Sequence, residues 1–352
     1  MSAAHLWLRH ETRATERRAP IVPPDARRLV EQGFRVTVEE SPQRAFGLDG
    51  YTAAGCSTAP AGSWRDAPAE AYVVGLKELP PAPEELVHRH IFFGHAYKGQ
   101  EGAGRLLRRF GAGGGALLDM EYLVDDGGRR LAAFGYWAGY VGAALALLHH
   151  RGALVPPLRP WTRPELDAAL RAAGRGAPPR AIVLGALGRC GRGACDALET
   201  AGVRPQRWDL AETGNLDREA LLAADLVVNA VQVDKPGTVF LTPADLDDPA
   251  RRIRVLADVT CDVTSDCNVL PVYDAITGWG APARRLRDGD HPVDVIAIDN
   301  LPSLLPGEAS TSFSAALTPQ LELLDTGSTA WERCLDLFRT AAEAHRKETS
   351  HD

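Results

Sequence analysis

What the sequence lacks narrows its class first. No stretch offers the run of about 18 or more uninterrupted apolar residues that a membrane-spanning helix needs. The longest apolar stretch, Leu131 to Leu148, is broken by Gly135, Gly139 and Gly142 and reads as a buried helix instead. The first residues, Met-Ser-Ala-Ala-His, carry neither the basic start nor the apolar run of a signal peptide. The 6 cysteines show no CxxC or Cys/His ligand spacing, so reduced thiols, no metal centre and a cytoplasmic setting are expected. An excess of positive charge is missing as well: the formal net charge is -7, which argues against nucleic acid as a partner. Glycine and proline are frequent, but they fall in loops rather than in a period, and no internal repeat is present.

What is there reads as an ordinary globular protein of about two domains, long enough to bury a large core without disulfides. Strand-like apolar runs alternate with helical patterns, which argues for an α/β fold with parallel sheets. In the first part Leu6–Leu8, Arg35–Glu40, Ala71–Lys77, Ile91–His95 and Ala116–Leu123 read as strands, and 24–32 reads as a helix stopped at Gly33. Residues 134–150 are apolar nearly all round and read as a buried helix joining two lobes. Residues 151–180 are rich in Pro, Arg and Gly, with one helical piece at 164–173. A second α/β unit begins at Arg180, with strands expected at Ala181–Leu184, Gln206–Leu210, Asp225–Val231, Ile253–Asp258 and Val293–Ile298 and a helix at Gly193–Ala201. Residues 330–347 read as a helix that folds back onto the first lobe. The expected architecture is two Rossmann-like lobes separated by a cleft, one of 1–133 with 319–352 and one of 134–318.

The strongest local signal is Gly185-Ala186-Leu187-Gly188-Arg189-Cys190-Gly191, between a strand and a helix. A turn without Cβ atoms lets backbone N–H groups approach a pyrophosphate, and the helix N-terminus favours its charge. Asp209, near the end of the next strand, is placed to accept hydrogen bonds from ribose hydroxyls and to repel a 2′-phosphate. NAD is therefore favoured over NADP, although Arg207 stands close by. The plain alternative is a sharp turn followed by a surface acid.

Two more groups sit at strand ends. Lys77 is either a solvated strand-end lysine or, if desolvated, a general base. His95 is either structural or a proton-transfer group. His88 and His90, in a polar stretch, read as surface residues. Arg18 and Arg130 are surface charges or carboxylate clamps. Asp299 is a turn cap or a site acid.

Taken together, Leu76-Lys77-Glu78-Leu79-Pro80, Gly94-His95-Ala96-Tyr97-Lys98, Gly128-Arg129-Arg130-Leu131-Ala132-Ala133-Phe134-Gly135, the glycine loop and Ile298-Asp299-Asn300-Leu301-Pro302-Ser303-Leu304-Leu305-Pro306 resemble the L-lysine-forming saccharopine dehydrogenase family, in order from about Leu6 to Phe338. The N-terminal lobe more distantly resembles alanine dehydrogenase and transhydrogenase. The resemblance implies an NAD-dependent oxidoreductase acting on a CH–NH bond, which oxidises saccharopine and hydrolyses the imine to L-lysine and 2-oxoglutarate. It implies Lys77 and His95 as the acid–base pair, and Glu78 and Glu121 as acids that tune it. Arg18, Lys98, Arg130, Phe134 and Asp299 would line the substrate side. Gly185, Leu187, Gly188, Arg189, Cys190, Gly191, Asp209 and Val231 would line the cofactor side.

The partners so implied are small molecules, and the chain is expected to be a monomer or a simple homo-oligomer. Ala230 departs from a pattern in which the family can hold a cysteine able to pair with the one matching Cys190. The region 19–23 is proline-rich, and Tyr136 and Trp137 differ in shape from common choices. Two other readings stay open: an opine-type dehydrogenase for a related amino acid–keto acid conjugate, and a silent NAD-binding protein.

Overall fold

The computed structural model describes residues 4–100, 102–173, 176–233 and 235–349. The chain divides into two compact units, Met1–Ala133 with Ala309–Asp352, and Phe134–Glu308.

The first unit opens with β1 (His5–Leu8), α1 (Pro23–Glu31), β2 (Arg35–Glu39), α2 (Leu48–Ala53), β3 (Ser57–Ala59), β4 (Tyr72–Val74), β5 (Arg89–Phe92), α3 (Ala103–Gly113) and β6 (Ala116–Asp119). The strands form one parallel sheet in the order β3-β2-β1-β4-β5-β6. Strands such as β4 are wholly buried, the pattern of a sheet covered on both faces. Prolines preset the first turn of α1, and Gly33 with φ 92° supplies the left-handed stop after it. The strand order reverses between β1 and β4, so a crevice opens at the C-terminal ends of those two strands. β4 stops at Val74, short of the Lys77 expected from the apolar run. At Gly75 a Cβ would lie 2.3 Å from Arg9 Nε, so the space where the strand would continue holds a buried guanidinium.

His88 and His90 are not at the surface. Their exposures are 2% and 0%, and His90 lies inside β5. His88 Nε2 is 2.9 Å from the carbonyl of Ala67. His90 sits among Trp64, Phe92 and Phe110, and burial holds it well below the ordinary histidine range, as a neutral aromatic. The flanking polar residues hid the fact that alternate positions face the core.

The second unit holds α4 (Gly135–His150), α5 (Arg163–Ala173), β7 (Ala181–Leu184), α6 (Arg189–Thr200), β8 (Gln206–Trp208), α7 (Leu210–Thr213), α8 (Arg218–Leu222), β9 (Leu226–Asn229), α9 (Pro243–Asp247), β10 (Val255–Asp258), β11 (Arg284–Arg287) and β12 (Val293–Ile296). Its sheet runs β11-β12-β10-β9-β7-β8, parallel except for β11. The apolar helix α4 is buried as expected; it follows directly on Ala133 of the first unit and packs on α5, α6, β9, β10 and β12 of the second. It meets α6 through glycines: a Cβ at Gly139 would lie 1.8 Å from Cys190 O, and one at Gly193 would lie 1.9 Å from Tyr136 O. That close crossing fixes the start of α6, which begins at Arg189 rather than at Gly193.

The chain ends with α10 (Pro306–Leu321) and α11 (Thr329–Thr349). The return to the first unit falls at Ala309, earlier than the expected 319. The reason is polar: Ser310 and Ser314 on α10 accept hydrogen bonds from the N–H groups of Ala19 and Val22 at 2.8 and 3.0 Å. α11 then packs on β6 and α3, with Phe338 edge-on to Phe110. No helix is long and apolar enough to cross a membrane among the described residues.

Candidate functional site

In the first unit the site builds up from the C-terminal ends of β1, β4, β5 and β6. Lys77 lies three residues past β4, half-buried, with its backbone N–H donating to Glu11 Oε2 at 3.1 Å and its carbonyl accepting from Arg9 Nη2. Glu78 is gripped bidentately by Arg13, at 3.0 and 3.1 Å. Burial pushes the Glu78 carboxyl up, but Arg13, the loop backbone and the Lys77 charge outweigh it and leave the group below its ordinary range.

His95 follows β5 in the left-handed region, φ 48°, which costs a residue with a Cβ of order 1 kcal/mol. This turn sets its Nδ1 3.3 Å from Glu121 Oε2, just past β6. Lys98 Nζ stands 3.5 Å from the other oxygen, Glu121 Oε1, and 5.9 Å over the Tyr122 ring. The His95 ring, and then the charges of Arg130 and Lys98, hold the Glu121 carboxyl down at about 2 against the upward push of burial. Four expected residues, His95, Lys98, Glu121 and Arg130, thus form one charged cluster. Glu78 and His95 also line a common cavity of about 370 Å³, with an apolar wall of Leu79, Phe92, Phe93 and Leu106.

Arg18 is buried, and its guanidinium pairs with Glu16 at 2.8 and 2.5 Å. Its geometry is therefore fixed before any substrate arrives. Phe134 and Asp299 belong to the second unit: Phe134 is the N-cap of α4, and Asp299 is exposed after β12, next to Asn300 in a left-handed turn.

Several residues of the first-unit site were missed in the sequence. Arg9, Glu11, Arg13 and Glu16 lie on the β1–α1 connection, in a stretch whose charges look like a solvated loop. Asp119 ends β6 fully buried, accepts from Glu121 N at 2.9 Å, and is pushed up to about 6 by burial. The one available signal was an acid at the end of an apolar strand.

In the second unit the strand order reverses at β7 and β9, and the glycine loop follows β7 there. Gly185 turns with φ 75°, and a Cβ on it would lie 3.0 Å from Val231 Cγ2. A Cβ on Gly191 would lie 2.1 Å from Gly185 O. Glycines therefore keep the loop low on the sheet and leave the N-terminus of α6 open, which fits a pyrophosphate. Leu187 is 66% exposed at the tip, and its N–H donates to Asp209 Oδ2 at 2.9 Å. Asp209 caps α7 in a capping box with Glu212. The Arg207 guanidinium pairs with Glu199 at 2.8 Å. Val231 N–H is held by Asn229 Oδ1 at 3.1 Å, at the end of β9.

The chain is 41% identical to the saccharopine dehydrogenase [NAD(+), L-lysine-forming] of Schizosaccharomyces pombe, over 97% of this chain and 100% of that one. It belongs to that family. The enzyme of the same name from Emericella nidulans is 40% identical over 96% of this chain and 97% of its own length. Residues 7–141 match the family model for the N-terminal domain of alanine dehydrogenase/PNT. Among solved structures an L-alanine dehydrogenase shares the fold, with a TM-score of 0.67 at 18% identity, covering 95% of this chain and 93% of that chain. This family membership agrees with the resemblance carried by the five sequence segments.

Proposed function

We propose that the chain catalyses the NAD-dependent, reversible oxidative cleavage of saccharopine to L-lysine and 2-oxoglutarate, with Lys77 and His95 as its acid–base groups. The observation that carries the His95 assignment is the cluster at the strand ends: His95 against Glu121, with Lys98 and Arg130 beside them. Lys77 is assigned by the resemblance of its segment to the family and by its place past the end of β4. A substrate with three carboxylates asks for several cations around one acid–base centre, and this cluster supplies them in an otherwise acidic protein. NAD supplies the hydride acceptor.

In this reading one of Lys77 and His95 takes the proton from the secondary amine, since the nitrogen lone pair must be available before hydride can leave. The same pair then activates water for attack on the imine carbon and returns a proton to the departing lysine amine. Arg18, prealigned by Glu16, and Arg130 engage substrate carboxylates, with Lys98, Phe134 and Asp299 as further lining. Glu78 and Glu121 hold negative charge beside the two bases. The glycine loop and Val231 hold the dinucleotide, and Asp209 takes the adenosine ribose. The first unit is thus the substrate lobe and the second the NAD lobe. The protein works in the cytoplasm, as a monomer or simple homo-oligomer acting on small molecules.

The test is steady-state NADH oxidation with 2-oxoglutarate and a panel of amino acids, lysine first. Turnover with lysine well above the rest supports the reading. Turnover with another amino acid alone moves the chain to an opine-type activity, and none at all removes the catalytic claim.

A further inference from the structure

Past Val74 backbone pairing with the β5 side thins out: Gly75 N–H still donates to Ile91 O at 2.9 Å and Leu76 O accepts from Phe93 N–H at 3.3 Å, while Lys77 sits three residues beyond the strand. Side chains hold the Leu76 and Lys77 N–H groups and the Lys77 carbonyl. The residues that do so come from the end of β1. Glu11 accepts from Leu76 N–H at 2.6 Å and from Lys77 N–H at 3.1 Å. Arg9 Nη2 donates to the Lys77 carbonyl, and its Nη1 pairs with Glu11 Oε2 at 3.1 Å. Both side chains are buried, at 1% and 5% exposure. Gly75 makes the room, since a Cβ there would lie 2.3 Å from Arg9 Nε. The Arg9 guanidinium also lies 5.7 Å over the ring of Phe92, the last residue of β5, three positions before His95.

Stability alone is a poor reason for such a pair. Two charges removed from water regain little more than they lose, and packed apolar side chains often do as well. What the pair does here is local: it fixes both backbone groups of Lys77 and ties that strand end to the one that carries His95. Acid–base catalysis depends on placement at the level of an ångström.

We infer that the buried Arg9–Glu11 ion pair is the positioning device for Lys77, holding its backbone so that the amine meets the substrate nitrogen; this rests on the acid–base role proposed above for Lys77. The pair touches no substrate and acts only through the Lys77 loop and the Phe92 ring.

The test uses the full chain with Glu11→Gln and Arg9→Lys, each also combined with Lys77→Met. Lysine occurs in the whole sequence only at Lys77, Lys98, Lys235 and Lys347. Reductive ¹³C-methylation therefore gives few lysine signals, and Lys77→Met identifies the one from Lys77. In Glu11→Gln and Arg9→Lys that signal is expected to move, while those of Lys98, Lys235 and Lys347 stay; Arg9→Lys adds one further amine at position 9, whose signal is assigned because it persists in the Arg9→Lys, Lys77→Met double variant. This arm needs no turnover, so it separates the positioning claim from the functional reading, whose own failure would show as a wild-type chain inert toward saccharopine.

In the kinetic arm each variant should lower kcat roughly 10-fold to 100-fold, the scale of an ångström misplacement. The KM for NADH should stay close to wild type. Neither variant should cost anything further in the Lys77→Met background. An unmoved Lys77 signal would overturn the inference, and so would equal losses with and without Lys77. Failure of both variants to fold, read by circular dichroism, would assign the pair to stability and overturn it too.

Discussion

His95 Nδ1 and Glu121 Oε2 stand 3.3 Å apart, although the two residues leave different strands of the sheet. The left-handed turn at His95 and the short 3-10 helix at Met120–Tyr122 bring them together. The pair sits at the centre of the charged cluster that Lys98 and Arg130 complete.

Glu121 is held at about 2 in the folded chain, against an ordinary value of 4.5. A carboxyl lowered by folding stabilises fully above its unfolded value, and that stabilisation is lost as pH falls through the folded one. Glu121→Gln should therefore flatten the dependence of stability on pH between about 4.5 and 2. Urea midpoints at pH 6 and pH 3 measure it: the wild type should drop more between them than the variant does. Equal drops would remove the charge role of Glu121.

Lys77→Met and His95→Gln are each expected to slow turnover by roughly 10²-fold, the low end for general acid–base catalysis, because the other group partly substitutes. Fluorescence titration should find NADH binding nearly unchanged in both. A folded double variant with wild-type turnover would end the assignment.

Arg18→Ala and Arg130→Ala should both raise the KM for saccharopine, since a carboxylate clamp acts in the ground state and the transition state alike. Their effects on stability should differ. Arg18→Ala takes the guanidinium from the buried Glu16 carboxylate, which keeps the backbone N–H of residue 18, and is expected to cost about 3–5 kcal/mol, the range for breaking a buried pair. Arg130 is half-buried, and its loss should cost much less. Thermal melts of the two variants side by side decide it, and equal losses would count against the Arg18–Glu16 pair.

Gly191→Ala and Gly188→Ala separate loop packing from loop composition. An alanine Cβ at 191 would lie 2.1 Å from Gly185 O, whereas one at 188 would lie 3.3 Å from the same oxygen. The first must push α6 off the sheet, at about 1–3 kcal/mol in line with overpacking, and should lose NADH affinity. The second should change both modestly. Similar behaviour of the two would mean that the loop rearranges freely.

NADH should bind more tightly than NADPH by roughly 10-fold or more, because Asp209 would face the 2′-phosphate across a few ångströms. Arg207, the residue that could have compensated, is already paired with Glu199. Parallel fluorescence titrations give the ratio, and equal affinities would take Asp209 out of its role.

Whatever depended on neighbours along the chain was legible in the sequence. Continuous apolar runs between glycines specified β7 and the strands around it, and the spacing of Gly185, Gly188 and Gly191 specified a strand–turn–helix, because those constraints act within a few residues. The α/β class and its parallel sheets follow from the alternation of such runs. The family was legible for a related reason: five short segments in fixed order carry more information than any one motif.

What the tertiary structure alone decided is which distant charges meet, and where a polar stretch goes inside. Arg9 and Glu11 reach the backbone of Lys77 across 68 and 66 positions, and Glu121 reaches His95 and Lys98 from the next strand. Arg18 turned to Glu16, His90 went into an aromatic core, and α10 crossed back at Ala309 on two serine hydroxyls. A charged residue carries no periodicity of its own. Its partner is set by strand order and register, and only when the sheet has formed does the cost of burying a charge select the one arrangement that pairs it.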